Sequence, residues 1–263
     1  MGTREASTIR PFLLLLMLTG CRDYGLLRSA STTDAATPAD DGATLPDLAS
    51  GGCGAAILCD GFETSMLRPY WNVVSMAPST VTLDGSRAHR GTSSVGIHVP
   101  ARDSADQSTY ASLEFTITPL PAQLYVRAFF YRPSTTTDDI DLLNLEQNVT
   151  DNNGIYLVAT GGQERLYQAA NPPNVVTNGS TSLQVDGWSC VELDVTELSS
   201  SQPLATFRVD GGPFAPPARV AGGYTSKTGL SLVQYVMGGQ TTKATDFWID
   251  DIIVDTVPIG CER

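Results

Sequence analysis

A chain that carries DFWIDDIIVD at residues 246–255 must find cover for apolar side chains on both sides of one extended segment. Phe247, Ile249, Asp251 and Ile253 alternate with Trp248, Asp250, Ile252 and Val254, the period of two that a strand requires. Apolar residues in both sets, followed by a Thr-Val-Pro stop at 256–258, point to a strand enclosed from two directions rather than a solvated edge. Its expected neighbour is residues 57–64, ILCDGFET, which mix apolar and acidic residues in the same way. Pairing the first strand with the last closes a sandwich over everything between them.

The start of the chain reads as an address. Arg4 and Arg10 give a positively charged start to a short apolar run, PFLLLLML at 11–18, which leads into Leu18-Thr19-Gly20-Cys21. A bilayer span needs about 18 or more apolar residues, so the run fits a secretory signal rather than a membrane helix. The four residues ending at Cys21 resemble the bacterial lipobox, which implies lipidation of Cys21 and anchoring to a membrane. An ordinary export signal with a chance cysteine is the alternative. By the same resemblance, Arg22 in place of an aspartate after the cysteine implies the outer membrane or cell surface. Residues 21–52 are rich in Ser, Thr, Ala, Asp, Gly and Pro without apolar period, the composition of a disordered tether. The expected division is a signal at 1–20, a tether at 21–52 and one folded domain at 53–263.

That domain is expected to be all-β, a two-sheet antiparallel sandwich. Short period-two runs fall at 80–83, 93–99, 111–117, 123–131, 140–146, 154–159, 165–169, 182–185, 188–195, 205–209 and 230–237. No stretch keeps a helical period for long, and 24 Gly and 16 Pro punctuate the runs. Asp210-Gly211-Gly212 after Phe207-Arg208-Val209 is a tight-turn signal, because Gly accepts positive φ.

The order CDGFE (59–63), Trp71, GSRAHRGTSSVGIHV (85–99), YVRAFFYRP (125–133), DGWSCVELDV (186–195), RVDGG (208–212) and FWIDDIIVD (247–255) resembles jelly-roll domains of the concanavalin A-like lectin and glucanase superfamily. The likeness is to members related to polysaccharide lyases on secreted bacterial proteins. It covers nearly all of the chain after residue 52 and implies a jelly roll that binds or cleaves glycans. Galactose-binding-like carbohydrate modules, another β-sandwich group, share the FE start and the DD end and stand as the rival architecture.

With Cys21 taken by lipid, four cysteines remain, and four allow three pairings. Cys53 with Cys59 and Cys190 with Cys261 is the favoured set; Cys59 with Cys261 is the competitor. No CxxC redox spacing or cysteine-histidine cluster gives them another use.

Catalytic signatures are missing: there is no G-x-S-x-G, no H-E-x-x-H and no phosphate-binding glycine loop. Lyase chemistry needs a base for the proton beside a uronate carboxylate and a group that neutralises that carboxylate. Arg127 with Tyr125 or Tyr131 would serve if they shared an open face, but the arginine-glutamate and glutamine-histidine signatures of jelly-roll alginate lyases are absent. His89 and His98, the two histidines, read as structural or exposed.

Sugar binding asks for less, namely aromatic faces for a pyranose ring and amides, carboxylates or Arg for its hydroxyls. Alternation along 123–131 separates Val126, Ala128 and Phe130 from Tyr125, Arg127, Phe129 and Tyr131. The second set is the expected ligand face, joined by Asn144, Glu146, Tyr156, Tyr167 and Gln234 if their strands lie beside it. Trp188 and Trp248 are expected to be structural. Glu63, with Asp250 or Asp251, would meet if the first and last strands pair, and hard oxygen ligands suit calcium; the resemblance implies a structural calcium there, with solvated carboxylates as the alternative. A net charge of −12 repels phosphate backbones and sets nucleic acid aside as a partner.

Overall fold

The computed structural model describes residues 53–101, 110–136, 140–146, 154–160, 163–169, 174–178, 182–200, 202–214, 217–219, 229–234 and 244–261. The expected signal, the tether and Cys21 lie outside the described residues. The strands are β1 (Leu58–Asp60), β2 (Asn72–Ser75), β3 (Thr80–Asp84), β4 (Ser94–Val99), β5 (Ala111–Thr116), β6 (Leu124–Arg132), β7 (Ile140–Glu146) and β8 (Gly154–Thr160). They continue with β9 (Gln163–Ala169), β10 (Asn174–Asn178), β11 (Gly187–Thr196), β12 (Leu204–Val209), β13 (Gly212–Pro213), β14 (Ala218–Arg219), β15 (Gly229–Gln234) and β16 (Thr245–Asp255).

Two antiparallel sheets result, a jelly-roll sandwich. Sheet A runs β13-β12-β11-β6-β16-β4-β3, with β1 on β16 and β14 on β12; sheet B runs β10-β9-β8-β7-β15-β5-β2. The first and last strands pair as expected, Leu58 with Val254 and Asp60 with Ile252. β16 sits in the interior of sheet A between β6 and β4, which accounts for its apolar residues on both faces.

Both sheets contribute to one core: Val126, Ala128, Phe130, Phe247 and Ile249 from sheet A, and Leu113, Leu143, Leu145, Ile155 and Leu157 from sheet B. Fully burying such a side chain is worth roughly 1.5–3 kcal/mol. The strand expected at 182–185 does not form. Val185 makes only an isolated bridge to Arg132, because Asp186 at φ 56° turns the chain directly into β11. The Asp210-Gly211 pair, at φ 51° and 73°, makes the expected tight turn between β12 and β13.

The period of two in β16 breaks at one place. Asp250 pairs with Phe129 but Ile253 with Arg127, so three steps on β16 oppose two on β6. This bulge, with Asp251 at φ 48°, exchanges the faces of everything after it. Phe247, Ile249, Ile252 and Val254 therefore enter the main core, whereas Ile253 joins a second apolar cluster with Ile259, Cys53, Ala56, Cys59 and Tyr125. The expected grouping of Ile253 with Phe247 and Ile249, and of Ile252 and Val254 with Trp248, is corrected by that extra residue.

Candidate functional site

The face of β6 that carries Tyr125, Arg127, Phe129 and Tyr131 points away from the main core, as the alternation predicts, but it is covered. Two disulfides hold the cover. Cys53 bonds Cys59, and Cys190 on β11 bonds Cys261, which matches the favoured pairing. The second bond brings the 258–261 segment over β6, where Gly260 O accepts from Arg127 Nη1 at 3.3 Å. Arg127 Nη2 donates to Asp251 O at 3.4 Å, Glu192 stands opposite Arg127 on β11, and Arg127 has no exposed surface. Burial pushes the Glu192 carboxyl up, against the opposing pull of Arg208, of the Gly260 amide and of Arg127.

The rest of that set is similarly engaged. Phe129 is buried beneath His89, their rings stacked at 3.6 Å. Tyr125 packs into the second apolar cluster, and Tyr131 meets Trp188 and Trp248 edge-on with the Arg87 guanidinium 4.4 Å above its ring. The expected open ligand face on β6 is therefore corrected. An unpaired guanidinium is too costly to bury, but one bonded to carbonyls and set near a carboxylate is not.

The bulge in β16 organises a second cluster. It falls where β4 stops pairing with β16 and β1 starts, and the loop at 85–93 folds over the gap. Asp250, fully buried, accepts from His89 N at 2.7 Å and from Arg90 N at 3.4 Å. Asp251 Oδ2 lies 2.7 Å from His89 Nδ1, while its Oδ1 is buried without a hydrogen-bond partner. Glu63 grips the other end of the same loop, taking Thr92 N and Ser93 N at 2.9 Å. Gly91, at φ 72°, lets the loop pass, since a Cβ there would stand 2.3 Å from Glu63 Oε1. Burial and then the neighbouring Asp251 charge raise the Asp250 carboxyl to about 8.

These residues fit a cation in part. The orphaned Asp251 Oδ1 and two adjacent buried carboxylates are hard oxygen donors. Glu63, Asp250 and Asp251 do not form one tight set, however. Among the described residues, the one group of three such side chains with ligand atoms within 4.8 Å is Cys190, Glu192 and Cys261, and its sulfurs are already bonded. The residues expected at a calcium site, Glu63 with Asp250 or Asp251, are arranged as an aspartate pair on β16 with Glu63 across the loop.

Sheet B offers a different arrangement on its face away from the core. Register sets Asn72 opposite Glu114, Glu114 opposite Ser231, Ser231 opposite Asn144, Asn144 opposite Tyr156 and Tyr156 opposite Tyr167. One cross-strand row thus spans six strands, and its neighbours alternate into the core as Leu113, Leu143, Leu145, Ile155 and Leu157. Glu114 is 7% exposed and accepts from Asn72 Nδ2 at 3.0 Å and Ser112 Oγ at 2.8 Å. Asn144 and Tyr156 are buried, and Asn72 at the end of the row is exposed.

Of the residues expected on the ligand face, Asn144, Tyr156 and Tyr167 share this row. Glu146 lies one step along, opposite Gly154, and Gln234 is set opposite Asp141. They lie on the other sheet from Tyr125, Arg127, Phe129 and Tyr131, so the two groups do not make one surface. Sequence reasoning missed Asn72, Ser112 and Glu114, although the alternation Ala111-Ser112-Leu113-Glu114-Phe115 is a usable signal for the last two. Both histidines belong to the sheet A side: His98 lies on β4, 2.6 Å from Asp246, and His89 beside Asp251.

No family model matches the chain, and no curated protein matches it. Among solved structures, it is similar to the cellulose-induced protein Cip1, with a TM-score of 0.57 and 16% identity over 78% of this chain and 99% of that one. It is also similar to the endo-β-1,4-glucuronan lyase of the fungus Trichoderma reesei, with a TM-score of 0.57 and 12% identity over 73% of this chain and 96% of that one. At these identities the likeness establishes the shared sandwich fold.

Proposed function

We propose that the domain is a glycan-binding module, and that a sugar chain lies across sheet B along the row from Asn72 to Tyr167. The row itself carries this reading. Asn72, Glu114, Asn144 and Tyr156 follow one another on the face away from the core, in register with Ser231 on β15 and Tyr167 on β9, where a purely structural sheet needs only solvated charge. On sheet A the disulfide-anchored 258–261 segment lies over the middle of the corresponding face. The fold is also that of a glucuronan lyase and of a cellulose-induced protein, which favours a carbohydrate ligand. Binding is preferred to cleavage because neither imidazole accompanies the row and each is held by an aspartate elsewhere. In affinity electrophoresis, Tyr156→Ala should weaken retention on a bound glycan by more than about tenfold, or 1.4 kcal/mol. Undiminished retention by a folded variant would move the site off the row. Release of an unsaturated uronate, read as new ultraviolet absorbance, would replace the binding reading with a lyase.

Calcium at Asp250 and Asp251, with Glu63 across the 89–93 loop, is proposed as a structural cofactor, supported by the orphaned Asp251 oxygen. It would neutralise the paired carboxylates and tie the loop to β16. In the metal-free protein Asp250 has its carboxyl raised from 3.8 to about 8, so its protonated form is favoured on folding. Its contribution is then complete below about pH 4 and is lost as pH rises through 8. Metal-free protein should therefore melt progressively lower between pH 5 and 9, and calcium at a hundred times its Kd should restore roughly 2.7 kcal/mol. Asp250→Asn should flatten the pH profile and abolish the calcium response. A wild-type melting temperature indifferent to both calcium and chelator would remove the metal from this reading.

Export with lipid attachment at Cys21 completes the proposal: a glycan-binding domain held at the outer membrane or cell surface. The mass of the mature protein's first peptide reads this directly, and an unacylated Cys21 would dismiss the anchor.

A further inference from the structure

Electrostatics narrow the ligand class of the row. Across the seven strands of sheet B the described residues include Glu114, Asp141, Glu146 and Glu164, against Arg165 as the single basic residue. The register distributes them unevenly. Glu114 stands in the row itself, Glu146 one step to one side opposite Gly154, and Asp141 one step to the other side opposite Val158. Arg165 holds the register position on the far side of Val158 from Asp141, two strands away from it, and is not a register partner of Glu114.

Glu114 is where the charge matters most. It is nearly buried, and its oxygens are held by Asn72 and Ser112, neutral groups that fix the carboxylate without cancelling its charge. No ion pair reaches it among the described residues. A chain bearing a carboxylate on every sugar would bring like charge against a desolvated Glu114, where screening by salt is weakest. A sugar hydroxyl, in contrast, can donate to that carboxylate, and the exposed Asn72 amide beside it complements neutral hydroxyls. The net charge of −12 repels polyanions further at long range.

We infer that the row takes an uncharged pyranose chain, a neutral glucan or mannan type of polymer, and discriminates against polyuronates. The inference rests on the glycan-binding reading above and separates this chain from the glucuronan lyase whose fold it shares. The full-length protein is run through native gels containing hydroxyethyl cellulose, glucomannan, polyglucuronate or alginate, each at about 10 mM and 300 mM salt. The expected result is retention by at least one neutral polymer at both salts, with affinity for either polyuronate at least tenfold weaker, the gap narrowing at high salt. Glu114→Gln should narrow the gap at low salt by strengthening polyuronate retention. Equal or tighter binding of a polyuronate by the wild type would overturn the inference and leave glycan binding standing. Retention by none of the four, with a cooperative melting transition showing that the protein is folded, would overturn both.

Discussion

Replacing Arg127 by alanine should destabilise the domain by about 3–5 kcal/mol, the cost of breaking a buried charged network by removing one partner. At a few degrees per kcal/mol for a domain of this size, the melting temperature should fall by roughly 10 °C. Three features give so large an effect. The guanidinium has no exposed surface, it is bonded to the carbonyls of Gly260 and Asp251, and it faces a Glu192 whose carboxyl is already raised by burial. Without Arg127, the bulge of β16 and the 258–261 segment lose their shared donor, and Glu192 loses a neutralising charge. Arg127→Lys should recover little, since a single ammonium cannot reproduce the planar fork that reaches two separated carbonyls. Arg127→Ala combined with Glu192→Gln should recover part of the loss, which a double-mutant cycle reads as coupling. A melting temperature within about 2 °C of wild type for Arg127→Ala would show that this network does not hold the cover in place.

Removing the Cys190–Cys261 bond by a double alanine substitution should cost about 4 kcal/mol, because it frees a loop with a sequence separation of 71 residues in the unfolded chain. The Cys53–Cys59 bond closes a separation of 6 and should be worth roughly half as much by the same entropy argument. The native consequences differ as well. The long bond holds Gly260 over Arg127 and keeps Ile259 against Ile253 and Tyr125, so its loss should uncover the outer face of sheet A. Denaturant unfolding of the two double variants provides the measurement, and faster hydrogen exchange in 124–132 should accompany loss of the long bond alone. An equal or greater cost for the short bond would contradict the chain-entropy account.

Glycan binding should survive the second experiment. The row on sheet B shares no described residue with the disulfide-anchored cover, so a variant lacking Cys190 and Cys261 that remains folded should still bind whatever the wild type binds. The two sheets thus divide the work. Sheet A carries cover and stabilising cross-links, and sheet B carries the row proposed to meet the ligand.

Local periodicity was sufficient for much of the fold. Alternation located β3 to β9, β11 and β12 to within a residue or two, because a half-buried strand shows its burial directly in the order of its side chains. The mixture of acidic and apolar residues in 57–64 and 246–255 was enough to pair β1 with β16, and of the three pairings that four cysteines allow, the favoured one is observed. Periodicity assigns a residue to one side of its own strand, but it does not say which sheet that strand joins. Tyr125 to Tyr131 and Asn144 with Tyr156 looked like one face, and long-range pairing put them on different sheets. The bulge at Asp251 was equally hidden: one added residue leaves a segment apolar on both faces looking regular, yet it exchanges Ile252 with Ile253 between core and cover. The burial of Arg127 depends on Gly260, Asp251 and Glu192, which come from two other strands and a cross-linked segment. No window of sequence contains that neighbourhood, because only the closed sandwich brings those residues together.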